Sequence, residues 1–145
     1  MYKHILIPTD GSELAFTAVR HGVQFAKEIG AKVTAVTVTE PFHLLAVAPS
    51  QVEYTRAGYK THADAVAEKI LSAVSAVAEQ AGVECRTVHA EHEHPYQAII
   101  DTATSNTCDL IIMASHGRRG VGAIVLGSET VKVLTHSRIP VLVHR

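Results

Sequence analysis

The chain has 145 residues and a formal net charge of −1. This length predicts a single domain over residues 1–145, with a core large enough to fold without disulfides or a structural metal. A near-neutral charge and only 5% aromatic residues provide neither the basic surface nor the stacking side chains of nucleic-acid-binding proteins, so we expect no nucleic-acid partner. No apolar stretch approaches the ~18 residues of a membrane span, and Cys85 and Cys108 form no paired motif. We therefore expect a cytoplasmic protein with no membrane partner.

Two strands and a helix are predicted in the first 41 residues. Ile5-Leu6-Ile7, within residues 3–8, is a continuous apolar run typical of a strand buried on both faces. Ser12 is a suitable N-cap, and apolar residues then keep helical spacing until Gly30. Residues 32–40 are rich in Val and Thr and predict a second strand, which Pro41 ends.

Residues 42–59 show neither helical nor strand periodicity. We predict a long surface loop there, and loops of this length are uncommon unless they are functional or mobile. Apolar residues then fall on one face from about His62, which predicts a second helix ended by Gly82.

The remaining elements continue the alternation of strands and helices. Residues 84–90 predict a third strand, and Pro95 suits the first turn of a helix that runs toward Asn106. The apolar run of residues 110–113 is too short for a helix and predicts a buried central strand. After a last helix, residues 139–143 predict the final strand.

This alternation predicts an α/β fold, an open five-stranded parallel sheet with helices on both faces, similar to the Rossmann fold. Right-handed crossovers, with the most apolar strands in the middle, predict the strand order 3-2-1-4-5. The first and fourth strands are then neighbours, so the loops after Pro8 and after Ala114 converge at the crevice where open α/β sheets bind ligands.

A glycine-rich loop joins the fourth strand to the last helix. Gly117, Gly120 and Gly122 let the backbone adopt positive φ or pass close to a ligand, and Gly127-Ser128 then opens the last helix. The helix that starts at Ser128 offers amide N–H groups without internal partners, which suits a phosphate. The loop has no Walker A lysine, and its spacing does not fit the dinucleotide fingerprint.

The spacing of this loop resembles a known signature. Ala114, two residues, Gly117, nine residues and Gly127-Ser128 resemble the nucleotide-binding pattern of the universal stress protein family, with Ala114 in place of the first glycine. The resemblance extends to three further segments and so covers the whole chain: residues 8–12, 94–99 and 138–143. It implies the adenine nucleotide alpha hydrolase-like fold, with ATP or AMP as the ligand and Mg²⁺ as its counter-ion.

The resemblance also implies a set of binding residues. Thr9 and Asp10, which follow Pro8, border adenine and ribose, and the backbone near Val38 meets the adenine edge. The ribose and phosphates lie against the second loop and the helix start, at Met113, Ala114, His116, Gly117, Gly127, Ser128, Glu129 and Thr130. The hydroxyls of Ser128 and Thr130 are candidate partners for phosphate oxygens or metal-bound water.

Charged residues in the loop have two interpretations each. Glu129 stabilises the dipole of its own helix but repels a phosphate if its carboxylate points inward. Arg118 and Arg119 suit phosphate oxygens, or they belong to a solvated loop face.

Two functions follow. The first is a stress-response regulatory protein that binds ATP or AMP, and the alternative is a dimeric signalling module of the same family that binds no nucleotide. We assign no catalytic residue, so at most slow ATP hydrolysis is expected. Val141 to Val143 form a predicted edge strand, which together with the resemblance predicts a homodimer.

A hydrolase site is a weaker interpretation of the same loop. Residues 113–117 come within one residue of a Gly-x-Ser-x-Gly nucleophile elbow, and Glu129 and His136 follow in the acid-then-histidine order. Met113, however, stands where the strained turn needs glycine.

A histidine-rich segment is the last candidate. Its potential zinc ligands are His89, His92, Glu93 and His94. Strand alternation sends His89 and His92 to opposite faces, whereas a zinc site needs converging ligands, so we expect surface histidines and assign no metal site.

Overall fold

The computed structural model describes residues 1–42, 49–117 and 125–145, and of residues 49–54 it describes the backbone only. Five strands and four helices alternate along the described chain. Their bounds are β1 His4–Pro8, α1 Glu13–Ile29, β2 Lys32–Thr39, α2 Pro49–Ala81, β3 Cys85–Glu91, α3 Pro95–Ser105, β4 Leu110–Ala114, α4 Ser128–His136 and β5 Val141–His144.

The strands form one parallel sheet in the order β3-β2-β1-β4-β5, which confirms the predicted order. The winding reverses between β1 and β4, where Ile5 lies opposite Leu110. Every residue of both strands is buried, as their continuous apolar runs predicted. The loops that follow these two strands therefore leave the sheet side by side.

Helices cover both faces of the sheet. On one face, α1 and α2 pack against Ile5 and Ile7 through residues such as Val19 and Val74. On the other, α3 and α4 pack against the opposite side of the strands, where Leu6 is buried with Ile99 and Val133. Each such aliphatic side chain contributes about 1.5–3 kcal/mol when it is buried.

The first helix has the ends that its sequence predicts. The Ser12 hydroxyl accepts a hydrogen bond from the backbone N–H of Ala15 at 3.3 Å, and Gly30 ends the helix with a φ of 71°, in the left-handed region. In between, the helix passes so close to the sheet that a β-carbon at Gly22 would lie 2.6 Å from Cδ1 of Ile7.

The second helix differs from its prediction. α2 begins at Pro49 rather than near His62, so the predicted surface loop over residues 42–59 is wrong from residue 49 onward. Residues 43–48 of that loop lie outside the described residues. Residues 55–62 are all exposed. They have no core-facing side, so apolar residues do not recur there at helical spacing and the helix leaves no pattern in the sequence.

A small contact joins this projecting part of α2 to the end of β2. The Tyr59 hydroxyl donates to the backbone carbonyl of Glu40 at 2.7 Å, and the Tyr59 and Phe42 ring centroids are 5.4 Å apart. In the part of the chain that the structure describes, no helix has both the length and the apolar character needed to cross a membrane.

Candidate functional site

A cavity of about 370 Å³ opens at the carboxyl ends of β1 and β4. Its volume lies in the range of small-ligand pockets. The lining includes every binding residue named from the sequence, which are Pro8, Thr9, Asp10, Val38, Met113, Ala114, His116, Gly117, Gly127, Ser128, Glu129 and Thr130. The fold thus brings together residues from both ends of the chain at the crevice that the strand order predicts.

The loop after β1 holds its polar groups in a fixed turn. The backbone N–H of Thr9 donates to the carbonyl of Val36 at 2.9 Å, and the Thr9 hydroxyl accepts from the N–H of Gly11 at 3.2 Å. Asp10 Oδ1 accepts from the N–H of Ser12 at 2.9 Å. The Asp10 carboxylate is therefore positioned by the start of α1 and lies at the cavity wall.

Gly127 connects the end of β4 to the start of α4. Its N–H donates to the carbonyl of Ser115 at 2.7 Å. Its φ is −60° and its ψ is 152°, an extended conformation open to any residue. A β-carbon there would lie 3.0 Å from Cα of His116, so any larger residue would push these two closely spaced backbone segments apart.

The first turn of α4 faces the cavity. The first hydrogen bond within the helix runs from the N–H of Val131 to the carbonyl of Gly127, at 3.0 Å. The amide N–H groups of Ser128, Glu129 and Thr130 precede this bond and have no acceptor inside the helix. Because all three residues line the cavity, this helix start presents partial positive charge to it.

The two hydroxyls of this turn have different environments. The Thr130 hydroxyl donates to the carbonyl of Ala114 at 3.0 Å, and the residue is only 3% exposed. The Thr130 hydroxyl proton is therefore used in a hydrogen bond that joins α4 to β4, whereas the Ser128 side chain is exposed to solvent. Ser128 is accordingly the hydroxyl that is best placed to meet a ligand.

The Glu129 carboxylate binds the start of another helix. One oxygen accepts from the N–H of Tyr96, in the first turn of α3, at 2.8 Å, and the other lies 3.3 Å from Nζ of Lys132. Both contacts stabilise the negative charge and draw the carboxylate toward α3. The carboxylate of Glu129 therefore does not point freely at a phosphate. It is held by Tyr96 and Lys132, although the residue still lines the cavity.

The described part of the lining is acidic. It contains the carboxylates of Asp10, Glu40 and Glu129, together with His116, and neither lysine nor arginine. Gly120, Gly122, Arg118 and Arg119 lie outside the described residues.

Sequence reasoning missed five lining residues, which are Ala15, Val36, Glu40, Pro95 and Ile99. Val36 could have been found, because it lies two positions before Val38 on the same face of β2. Ile99 and Pro95 come from α3, and only the three-dimensional packing of that helix over the strand ends brings them to the cavity.

The alternative sites do not assemble. For a hydrolase, Glu129 and His136 would have to orient each other, but Glu129 binds Tyr96 while Nδ1 of His136 contacts the carbonyl of Lys132 at 2.8 Å. Residues 1–42, 49–117 and 125–145 contain no group of three or more His, Cys, Asp or Glu side chains that could hold a metal ion. Nε2 of His89 contacts the Thr39 hydroxyl at 2.9 Å.

Comparison with known sequences identifies the family. The model of the universal stress protein family matches residues 1–145. Universal stress protein MJ0531 of Methanocaldococcus jannaschii is 32% identical over 146 residues, a match that covers 99% of this chain and 82% of that protein. A universal stress protein of Thermus aquaticus is 30% identical over 145 residues, and the match covers both chains completely.

Solved structures share the fold. The hypothetical protein MJ0577 superposes with a TM-score of 0.83 at 29% identity, covering 99% of this chain and 95% of that one. A universal stress protein solved in complex with cAMP gives a TM-score of 0.73 at 24% identity, covering 99% and 97% of the two chains. The universal stress protein from Archaeoglobus fulgidus in complex with dAMP gives a TM-score of 0.69 at 19% identity, covering 99% of this chain and 98% of that one. The whole-chain family match and the relatives that are at least 30% identical show that this chain belongs to the universal stress protein family.

Proposed function

We propose that this chain is a single-domain, cytoplasmic regulatory protein of the stress response that binds ATP or AMP between the loops after β1 and β4. The observation that carries the proposal is the two-ended character of the cavity. One end is lined by apolar side chains, and the other by the amide groups that open α4. A nucleotide has the same division between a flat, largely apolar base and a charged phosphate.

The base end is formed by β2 and α3. Val36, Val38 and Ile99 line the cavity there and provide apolar contact for a purine ring. The exposed backbone of a strand end offers hydrogen bonds to ring nitrogens, and we place the adenine edge at the backbone near Val38. The Asp10 carboxylate, fixed by Ser12, is a hydrogen-bond acceptor suited to ribose hydroxyls.

The phosphate end is formed by the start of α4. The N–H groups of Ser128, Glu129 and Thr130 and the exposed Ser128 hydroxyl are the donors that phosphate oxygens require. The acidic side chains in the described lining oppose a bare triphosphate. We therefore propose that ATP enters as its Mg²⁺ complex, whereas AMP carries less charge and needs no metal ion.

Related structures support the choice of ligand without establishing it for this chain. The complexes with cAMP and dAMP are properties of those proteins. What supports the proposal here is that this chain has the same fold and a cavity of suitable size at the strand ends.

We also propose that the protein forms a homodimer through β5. This strand lies at the edge of the sheet, so its outer backbone groups are open to a partner strand. Leu142 is 43% exposed on it. The same strand favours the second candidate function, a dimeric interaction module that binds no nucleotide.

Ligand identification separates the two functions. The protein is purified rapidly under native conditions and denatured by heat, and the released small molecules are analysed by mass spectrometry. An adenine nucleotide at a molar ratio near one supports the binding function. If no nucleotide is released and the apo protein takes up none when it is added, the interaction module is favoured.

A further inference from the structure

Two histidines from distant parts of the chain meet outside the cavity. His21 lies on α1 and His144 is the last residue of β5. Their Nδ1 atoms are 3.1 Å apart, and their rings meet edge to face with centroids separated by 4.3 Å. Neither residue lines the cavity, so the nucleotide site does not explain the pair.

The backbones that carry the two rings are held by buried structure. The carbonyl of His144 accepts a hydrogen bond from the N–H of Ser115 at 2.8 Å, which fixes the end of β5 to the end of β4. Gly22, the neighbour of His21, is buried and lies against Ile7 in the core. The fold therefore fixes the two backbone positions, and the side-chain torsions of His21 and His144 decide how the rings meet.

The distance between the nitrogens matches a chelate. A Zn²⁺ ion lies about 2.0–2.1 Å from an imidazole nitrogen. Two nitrogens 3.1 Å apart at that radius subtend an angle of about 95–102° at the ion. This angle is wider than the right angle of square-planar and octahedral coordination and narrower than the tetrahedral angle. All three geometries therefore fit after small shifts of the rings.

The imidazoles of His21 and His144 can change tautomer and orientation so that both Nδ1 atoms bind such an ion. In the metal-free pair, one Nδ1 donates its proton to the other. When both imidazoles are neutral and carry their proton on Nε2, both Nδ1 lone pairs are available, and no proton is released from either ring. The histidine χ2 torsion is broad, and His21 is exposed, so its ring turns toward a shared ion at little cost.

We propose that His21 and His144 form a two-histidine chelating site for a divalent late transition-metal ion, of the class of Zn²⁺, Ni²⁺ and Cu²⁺, with water in the remaining positions. Imidazole nitrogen is a preferred ligand of these ions, and Cu²⁺ binds most tightly of the three. The bound ion joins α1 to β5, so it stabilises the folded chain in proportion to its occupancy.

Other histidines provide the matched comparison. Nδ1 of His136 contacts the Lys132 carbonyl, and Nδ1 of His92 accepts from the N–H of His94 at 2.8 Å. In both, one ring nitrogen is already used by the backbone. His136 is exposed on α4, which makes His136→Asn a suitable control for non-specific binding by a surface imidazole.

The test is calorimetric titration of the untagged, nucleotide-free protein with ZnCl₂ in a non-coordinating buffer at pH 7.5. The wild type is expected to show one saturable site with a Kd in the micromolar range. His21→Asn and His144→Asn should each weaken that site by at least about tenfold, because a single imidazole remains. His136→Asn should leave it unchanged, and circular dichroism should show that all three variants fold.

Two results would overturn the proposal. One is the absence of a saturable site in the wild type, and the other is undiminished affinity in both His21→Asn and His144→Asn. If either variant fails to fold, substoichiometric Cu²⁺ is added to ¹⁵N-labelled wild type. If the two histidines form the site, the ring signals of His21 and His144 broaden first. Broadening that begins at other histidines contradicts the proposal.

Discussion

Gly117 lies so close to Asp10 that a β-carbon at residue 117 would overlap Oδ2 of the aspartate. Asp10 cannot withdraw freely, because its Oδ1 accepts a hydrogen bond from the N–H of Ser12 at 2.9 Å. The two residues follow β1 and β4, so their contact is a direct result of the reversal of winding between these strands. Glycine at residue 117 leaves room for the carboxylate at the cavity wall.

The first prediction concerns this contact. Asp10→Ala should weaken adenosine as well as ATP by about tenfold, because we place the carboxylate at the ribose. Gly117→Ala should displace Asp10 and weaken both ligands by a similar factor. The double variant should lose less than the sum of the two free energies, since both changes disturb one contact. Calorimetry measures all three affinities, and strict additivity would show that the residues act independently.

The second prediction concerns Gly127. Gly127→Val places a branched side chain against His116 and beside the first turn of α4. Binding of ATP and AMP should fall by about tenfold or more, while adenosine, which has no phosphate, should lose much less. Gly127→Ala should show a smaller effect of the same kind.

The contrast between ligands is the control for this variant. If Gly127 serves only to end the loop, the substitution should lower the melting temperature and weaken ATP and adenosine in equal proportion. An equal loss in a protein with native circular dichroism would refute the phosphate role.

The third prediction concerns oligomeric state. Val141→Lys combined with Val143→Lys should convert a dimer to a monomer in light scattering, because charges placed at the sheet edge oppose strand pairing. Val131→Lys is the matched control, since Val131 is 44% exposed and lies on α4 rather than on β5, and should leave the dimer intact. A wild-type mass of one chain would refute the proposed interface.

The fourth prediction concerns pH and Asp109, whose carboxylate accepts from the N–H of Lys3 at 2.9 Å and of His4 at 3.0 Å. Burial opposes ionisation, but the hydrogen bonds from His4 and Lys3 outweigh it, and the pKa of Asp109 is lowered. A carboxyl with a lowered pKa in the folded state stabilises the fold fully above its unfolded pKa of about 3.9. That stabilisation disappears as the pH falls through the folded-state pKa.

Urea unfolding of Asp109→Ala and of the wild type at several pH values measures how much the Asp109 carboxylate contributes to stability. At pH 7 the variant should be less stable by about 1–3 kcal/mol, the loss expected when charged hydrogen bonds to the backbone are removed. The difference should shrink as the pH falls below ~4, because the wild-type carboxyl is protonated first in the unfolded state and then, at its lower pKa, in the folded state. A difference that stays constant down to pH 2 would contradict the assignment.

Much of the sheet could be predicted because its residues have only one suitable environment. The apolar runs of β1 and β4 have no polar face, so they belong in the centre, and the strand order follows. The start of α2 could not be predicted, because residues 55–62 contact too little of the core to show a pattern. Part of the site could be predicted because the loop spacing singles out Gly127, whose close approach to His116 is visible only in the structure.

Contacts between distant residues were beyond sequence reasoning. The Glu129 carboxylate could point at a phosphate or away from it, and only the position of α3 shows that it binds the N–H of Tyr96. The meeting of His21 and His144 likewise depends on how α1 packs against β4, the neighbour of β5 in the sheet. No local pattern in the sequence indicates either contact.

Calorimetric titration of the nucleotide-free protein with AMP and with Mg²⁺-ATP measures whether the cavity binds a nucleotide. We expect one site per chain with a Kd in the micromolar range, about −8 kcal/mol, and a matching rise in melting temperature. If ATP, ADP and AMP at millimolar concentration produce neither heat nor a thermal shift, the nucleotide-binding function is contradicted.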